Sequence, residues 1–305
     1  MKACLLTNPP IPPLIKGGKG GLFYFIIFFL LSACTQKICD VGDVSISNKD
    51  ISLRAKVSEV YYPNSGKDYV VLSQLINGYL SEEILKSLGH KVDDAALNAE
   101  AKRIDENTKA PEVLKKIRDI YGRNRDGYFK TFIRVVYAER VLYNDVFLKS
   151  KEIHKNEYHK AEDLIKEITK SKKSLREIAK EKGFKAVKLK VSQKEGIIPF
   201  GEEDKRKPNA NIGIEQAERL INEISKIKQG EVYPDVIEWL EGYQVIRYIK
   251  KEREHYIIES ISIPKRNYDD WFWERASKIP VRIYDEKLKE GFLKEVTWAG
   301  RVNLK

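Results

Sequence analysis

Apolar residues recur at three- and four-residue steps through most of the first half of the chain, a spacing that predicts helices. Ser47 and Asp50, three residues apart, read as a capping box with Asp in the Glu position. The helix they open carries Leu53, Val57, Val60 and Tyr61 on one face and stops at Pro63-Asn64-Ser65-Gly66. The strongest stripe is Leu72, Leu75, Ile76, Tyr79, Leu80, Ile84 and Leu88, with Gly89 as its C-terminal stop. Asp93 or Asp94 caps a third helix running to about Asp105, and Pro111 opens a short fourth through Tyr121. A long fifth helix runs from about Arg125 past Leu148. Each is apolar on one face only, so the set must pack on itself. Val41–Ile46, before the first helix, reads as a short extended lead-in.

Beyond residue 150 the period is mixed. Helices over Tyr158–Thr169, Ser174–Lys182 and about Glu215–Lys228 alternate with an extended stretch, Ala186–Val191. A hairpin follows, with strands Val236–Leu240 and Tyr243–Lys250 turning at Glu241-Gly242. His255–Pro264 reads as an extra strand after it, and a stretch with Trp271-Phe272-Trp273 leads to a last helix. Those aromatics are expected in a core or a domain interface. The fold class expected is therefore α+β.

The one long apolar run, Leu22–Leu31, follows Lys16 and Lys19. It holds about ten residues, half of the roughly 20 that a membrane-spanning helix needs, and fits the core of a signal peptide. Leu31-Ser32-Ala33-Cys34 then resembles the bacterial lipobox. That resemblance implies cleavage before Cys34 and a diacylglycerol on its thiol. Composition adds limits. A mean hydropathy of −0.47 excludes a multi-span membrane protein. Gly 18 and Pro 11 in 305 residues exclude a collagen-like or disordered chain. Three Cys and four His leave little material for a metal site or a disulfide framework, so no cofactor and no metal are expected. Cys39 reads as an incidental residue of the tether, and His90, His154 and His159 as solvated.

The order of the first-half elements resembles the N-terminal domain of SurA/PrsA-type foldases. Gln74-Leu75-Ile76-Asn77, Leu88-Gly89 and Val92-Asp93-Asp94 carry the likeness, which spans roughly residues 41 to 150. In the second half, "KAEDLIKEI…LREIAKEKGF" and "IKQGEVYPDVIEWLEGYQVIRYIKK" resemble the helices and closing hairpin of parvulin-type prolyl isomerases, over roughly 155 to 251. Two departures stand out. Parvulins open with a His-Ile-Leu strand, and Lys149–Asn156 is no strand; they carry a His in the closing strand, where this chain has Gln244. Phe200 could stand for the Phe of the proline pocket. His255 reads best as a polar residue at a strand start, with a place in a rebuilt site as the alternative.

These likenesses imply a lipoprotein signal peptide over 1–33, a lipid tether over 34–41 and an all-helical, chaperone-like domain over 42–150. A small, degenerate parvulin-like α/β domain with an antiparallel hairpin follows over 151–265, then a C-terminal extension over 266–305. The function implied is a lipid-anchored chaperone of the cell envelope. It would face the periplasm or extracytoplasmic space and hold unfolded or nascent exported proteins, its membrane contact made through the lipid on Cys34. Prolyl isomerisation has a barrier of about 18–20 kcal/mol, and loss of both histidines predicts little turnover. Phe200, Gln244 and His255 are the residues from which an active site would have to be built. An active parvulin-type isomerase and a scaffolding envelope lipoprotein are the alternatives. The net charge of +11, from 56 Lys and Arg against 45 Asp and Glu, is concentrated between Lys149 and Lys190. A solvated helix face with acids interspersed accounts for that segment at least as well as contact with anionic headgroups or acidic clients; a nucleic acid is not an expected partner, because the leader directs the chain out of the cytoplasm.

Overall fold

The computed structural model describes residues 36–62, 65–171, 173–200 and 210–305. The expected signal peptide, residues 1–33, and Cys34 lie outside the described residues. The chain is mixed α and β and divides into two compact units. The first, within the described residues, comprises the chain up to Lys86, His90–Val136 and Ile279–Lys305; the second comprises Ser87–Gly89 and Tyr137–Lys278.

In the first unit, β1 (Lys37–Val41) and β2 (Val44–Ser47) form a hairpin, and Ser47 opens α1 (Asn48–Tyr61). The capping box forms as read: the Ser47 N–H donates to Asp50 Oδ2 at 2.8 Å, and the Asp50 N–H to Ser47 Oγ at 3.3 Å. The long apolar stripe becomes α2 (Asp68–Ser87), on which Leu72, Leu75, Ile76, Tyr79 and Leu80 are fully buried. Burial of each such side chain contributes about 1.5–3 kcal/mol. Gly78 sits where α2 meets the helix carrying Val135: a Cβ there would lie 2.6 Å from Val135 Cγ1, so only Gly admits the approach. Asp93 caps α3 (Asp94–Asn107), and Pro111 starts α4 (Pro111–Tyr121). Then come α5 (Arg125–Tyr128), a π-helical stretch (Phe129–Ile133), α6 (Arg134–Arg140) and a second π-helical stretch (Val141–Phe147).

The expectation of an all-helical first domain does not hold. β1 lies between β2 and β8 (Pro280–Ile283), antiparallel to both, and β9 (Asn303–Leu304) joins β8 in parallel. Cys39 pairs with Ile283, and the Tyr284 N–H donates to the Ile38 carbonyl at 2.8 Å. Residues 37–41, read as tether, are thus a central strand, and Cys39, Val41 and Ile46 are fully buried. Burial, followed by the charge of Asp40, pushes the Cys39 thiol up to about 12. It stays protonated and behaves as a small apolar core residue. The last stretch is likewise no mere extension: Ile279–Lys305, with α11 (Glu286–Glu295), belongs to the first unit, and α10 (Tyr268–Ala276) to the second.

In the second unit, α7 (Lys155–Lys170) and α8 (Leu175–Glu181) precede β3 (Ala186–Ser192) and β4 (Gly196–Pro199). After α9 (Ala210–Ile224) come β5 (Ile237–Glu238), β6 (Gly242–Glu252) and β7 (His255–Pro264). The hairpin expected over 236–250 is present only as the two-residue β5 on β6. The long hairpin is β6–β7, and the five-stranded antiparallel sheet runs β4-β3-β7-β6-β5 with β7 at its centre. Alternation along β6 sets the layers. Tyr243 and Val245 face α7 and α8, together with Ile261 and Ile263, while Ile246 faces α9 with Ile258, Leu189 and Val191. Trp271 and Phe272 of α10 are buried, as expected of core aromatics. Among the described residues, no helix is long and apolar enough to cross a membrane.

Candidate functional site

The sheet register places Gln244 and His255 far apart. Gln244 pairs with Ser262 near one end of the β6–β7 ladder, and His255 with Glu252 at the other. Eight strand residues at about 3.3 Å each separate them by roughly 26 Å. His255 Nε2 meets Glu195 Oε2 at 2.8 Å, joining the β6–β7 turn to the β3–β4 turn. Beside it, a cleft of about 390 Å³ is lined by Ser192, Gln193, Lys194, Ile221, Lys251, Glu254 and Tyr256. Phe200 is exposed just past β4, with Lys188 Nζ 4.4 Å from its ring centre and Lys190 Nζ at 5.7 Å. Phe200, Gln244 and His255 are not brought together.

A different set collects around Gln244. Its side chain shares the α9-facing side of the sheet with Ile246 and Ser260. Ser260 lies between Val187 of β3 and Ile246 of β6 and is buried. Trp239, just past β5, packs against the same cluster, and Arg219 of α9 lies over its ring at 5.5 Å. Trp239 Nε1, Gln244 Oε1 and Ser260 Oγ are all buried, and none has a hydrogen-bond partner among the described residues. Nearby, the Tyr233 hydroxyl donates to Glu223, and that hydrogen bond, then burial, then the carboxylate's charge push the phenol up to about 12. Sequence reasoning found Gln244 through its position in the closing strand. It missed Trp239 and Ser260, since only the strand register brings them to one face.

His154, expected to be solvated, is fully buried at the start of α7. His90 is exposed, and His159 is exposed and bonded to Glu162 at 2.7 Å. Among the described residues, no group of His, Cys, Asp and Glu is placed to hold a metal ion. Comparisons of the chain with protein families, with curated proteins and with solved structures find no match.

Proposed function

We propose that the chain is a membrane-anchored extracytoplasmic chaperone that holds unfolded exported proteins without a covalent step. The observation carrying this reading is the trio of buried, unpartnered polar atoms on Trp239, Gln244 and Ser260. A buried polar atom left unpaired costs about 1–3 kcal/mol. An extended polypeptide offers a carbonyl acceptor and an amide donor at almost every residue. It therefore suits an indole N–H that donates, an amide oxygen that accepts and a hydroxyl that does either, and because all three atoms are closed to solvent the reading requires the packing over them to open when a client binds. No base is bonded to the Ser260 hydroxyl among the described residues, so the reading includes no covalent step. The order of helices and strands, resembling a parvulin with β7 in the central place, supports the same reading, and so does the lipobox-like leader. The wide separation of Gln244 from His255 weighs against the isomerase alternative.

The test uses the full chain and a Gln244→Leu/Ser260→Ala variant. Removing unsatisfied buried polar atoms leaves stability equal or higher, so loss of function cannot be ascribed to unfolding. The intact chain should delay aggregation of several unrelated unfolded proteins without ATP and show little turnover of Xaa-Pro peptides. The double variant should melt no lower and hold clients several-fold less well. Robust isomerase turnover, or holding activity unchanged by the variant, would overturn the proposal.

A further inference from the structure

We infer that the cleft along the free edge of β5 binds an extended acidic peptide segment through its main chain, an apolar side chain and its carboxylates. The cleft, about 530 Å³, lies within the second unit and is lined by the start of α7, by Arg219 of α9 and by β5–β6 residues. That volume is in the range of about 300–1,000 Å³ usual for ligand clefts.

Three features of the lining select the ligand. First, β5 is the last strand of its sheet and pairs only with β6, through Ile237↔Gln244 and Glu238↔Tyr243. Among the described residues no strand pairs with its outer edge, and an added peptide strand would gain main-chain hydrogen bonds there. Second, the floor is apolar and aromatic. Tyr158 stands edge-on to Tyr243 at 5.5 Å, with Val236 beside them. Third, the rim is basic. Lys151, Lys155 and Arg219 are exposed and make no ion pair among the described residues. Of the two carboxylates in the lining, Glu238 is already held by Lys265 Nζ at 3.0 Å, and Lys265 is itself buried and donates to the Leu148 carbonyl at 2.7 Å. Glu152 is the other carboxylate of the lining; Glu157 acts on Tyr243 from just outside it, and Glu223 acts on Arg219 but is itself held by Lys226 and Tyr233, so the rim keeps an excess of positive charge that disfavours a basic strand. The inference does not rest on the chaperone reading: Arg219, which lines the cleft, also lies over the Trp239 ring, but the cleft is otherwise built from the start of α7 and the α7-facing side of β5–β6.

The experiment measures anisotropy of fluorescent peptides with the full chain held in nanodiscs of zwitterionic lipid. One peptide alternates Asp or Glu with Phe or Leu; a second replaces every acid with Lys; a third keeps the acids but is N-methylated at alternate residues. The acidic peptide should bind about tenfold or more tighter than the basic one, and weaken as salt rises. N-methylation should abolish binding. Lys151→Glu/Lys155→Glu should reverse the charge preference, while Lys188→Glu/Lys250→Glu, away from the cleft, should leave it unchanged. Equal affinity for the acidic and basic peptides, indifference to N-methylation, or the same effect from both variant pairs would overturn the inference. Aggregation assays on Lys151→Glu/Lys155→Glu separate it from the holding function, which that pair should leave intact.

Discussion

Both ring nitrogens of His154 are engaged. Nδ1 accepts the Arg266 N–H at 3.2 Å, so the proton sits on Nε2, which donates to the Phe147 carbonyl at 2.7 Å. The Phe147 ring packs edge-on at 4.7 Å. The neutral ring is fully satisfied, and a second proton would meet the Arg266 N–H head-on. Burial is the main cause that lowers the ring below its ordinary 6.5; Lys265 lowers it further, while the Phe147 carbonyl, Glu157 and Glu238 pull the other way. The unfolded chain therefore binds the proton first. Stability is fully present above about 6.5, falls as pH drops through the window down to the native value, and levels off below it. The expected slope from this one group is at most about 1.4 kcal/mol per pH unit. Urea melts between pH 7.5 and 5 should show it, and His154→Gln should be less stable at pH 7.5 with a flatter profile. An unchanged slope in the variant would assign the pH dependence to other groups.

At the scale of elements, β1 depends on a partner about 240 residues away. Its residues Cys39, Asp40 and Val41 pair with Ile283, Arg282 and Val281. Truncation after Lys278 removes β8, α11 and β9 and leaves one edge of β1 open. In a chain whose Cys4 and Cys34 are replaced by Ser, the intact Cys39 should resist a thiol reagent until the protein unfolds. The truncated chain should react under native conditions, at least about tenfold faster, which corresponds to a loss of roughly 1.4 kcal/mol or more in local stability. Equal protection would mean that the β1–β2 hairpin and the helices suffice. The same pairing shows which features are legible in a sequence. The capping box Ser47/Asp50, the Pro111 start and the α2 stripe are local signals, and all appear. The strand character of Lys37–Val41 is not legible, because its five residues gain their order from β8. The placing of Trp239, Gln244 and Ser260 is hidden for a like reason: alternation gives the face of each side chain, but only the register of β5, β6 and β7 puts the three on the same face of the sheet.

For the molecule as a whole, the proposed anchor has a short reach. The Asn48 N–H donates to the Gln36 carbonyl at 2.9 Å, so the backbone is fixed from Gln36 onward. A lipid on Cys34 would then lie within about 10 Å of the start of β1, three residues at roughly 3.3–3.6 Å each. Bacteria expressing the full chain with labelled fatty acid should mark the wild type and leave Cys34→Ser unmarked; equal labelling, or none in either, refutes the anchor. The split make-up of the first unit also sets a schedule for its birth. Its opening strands leave the ribosome first and its closing strand nearly last, whereas Tyr137–Lys278 of the second unit is one unbroken run. At about 5–20 residues per second, β1 waits some 12–50 s for β8 to be made. The second unit is thus free to mature while the first is still missing its seam, and the hairpin over Lys37–Ser47, made early, is among the last pieces to be locked.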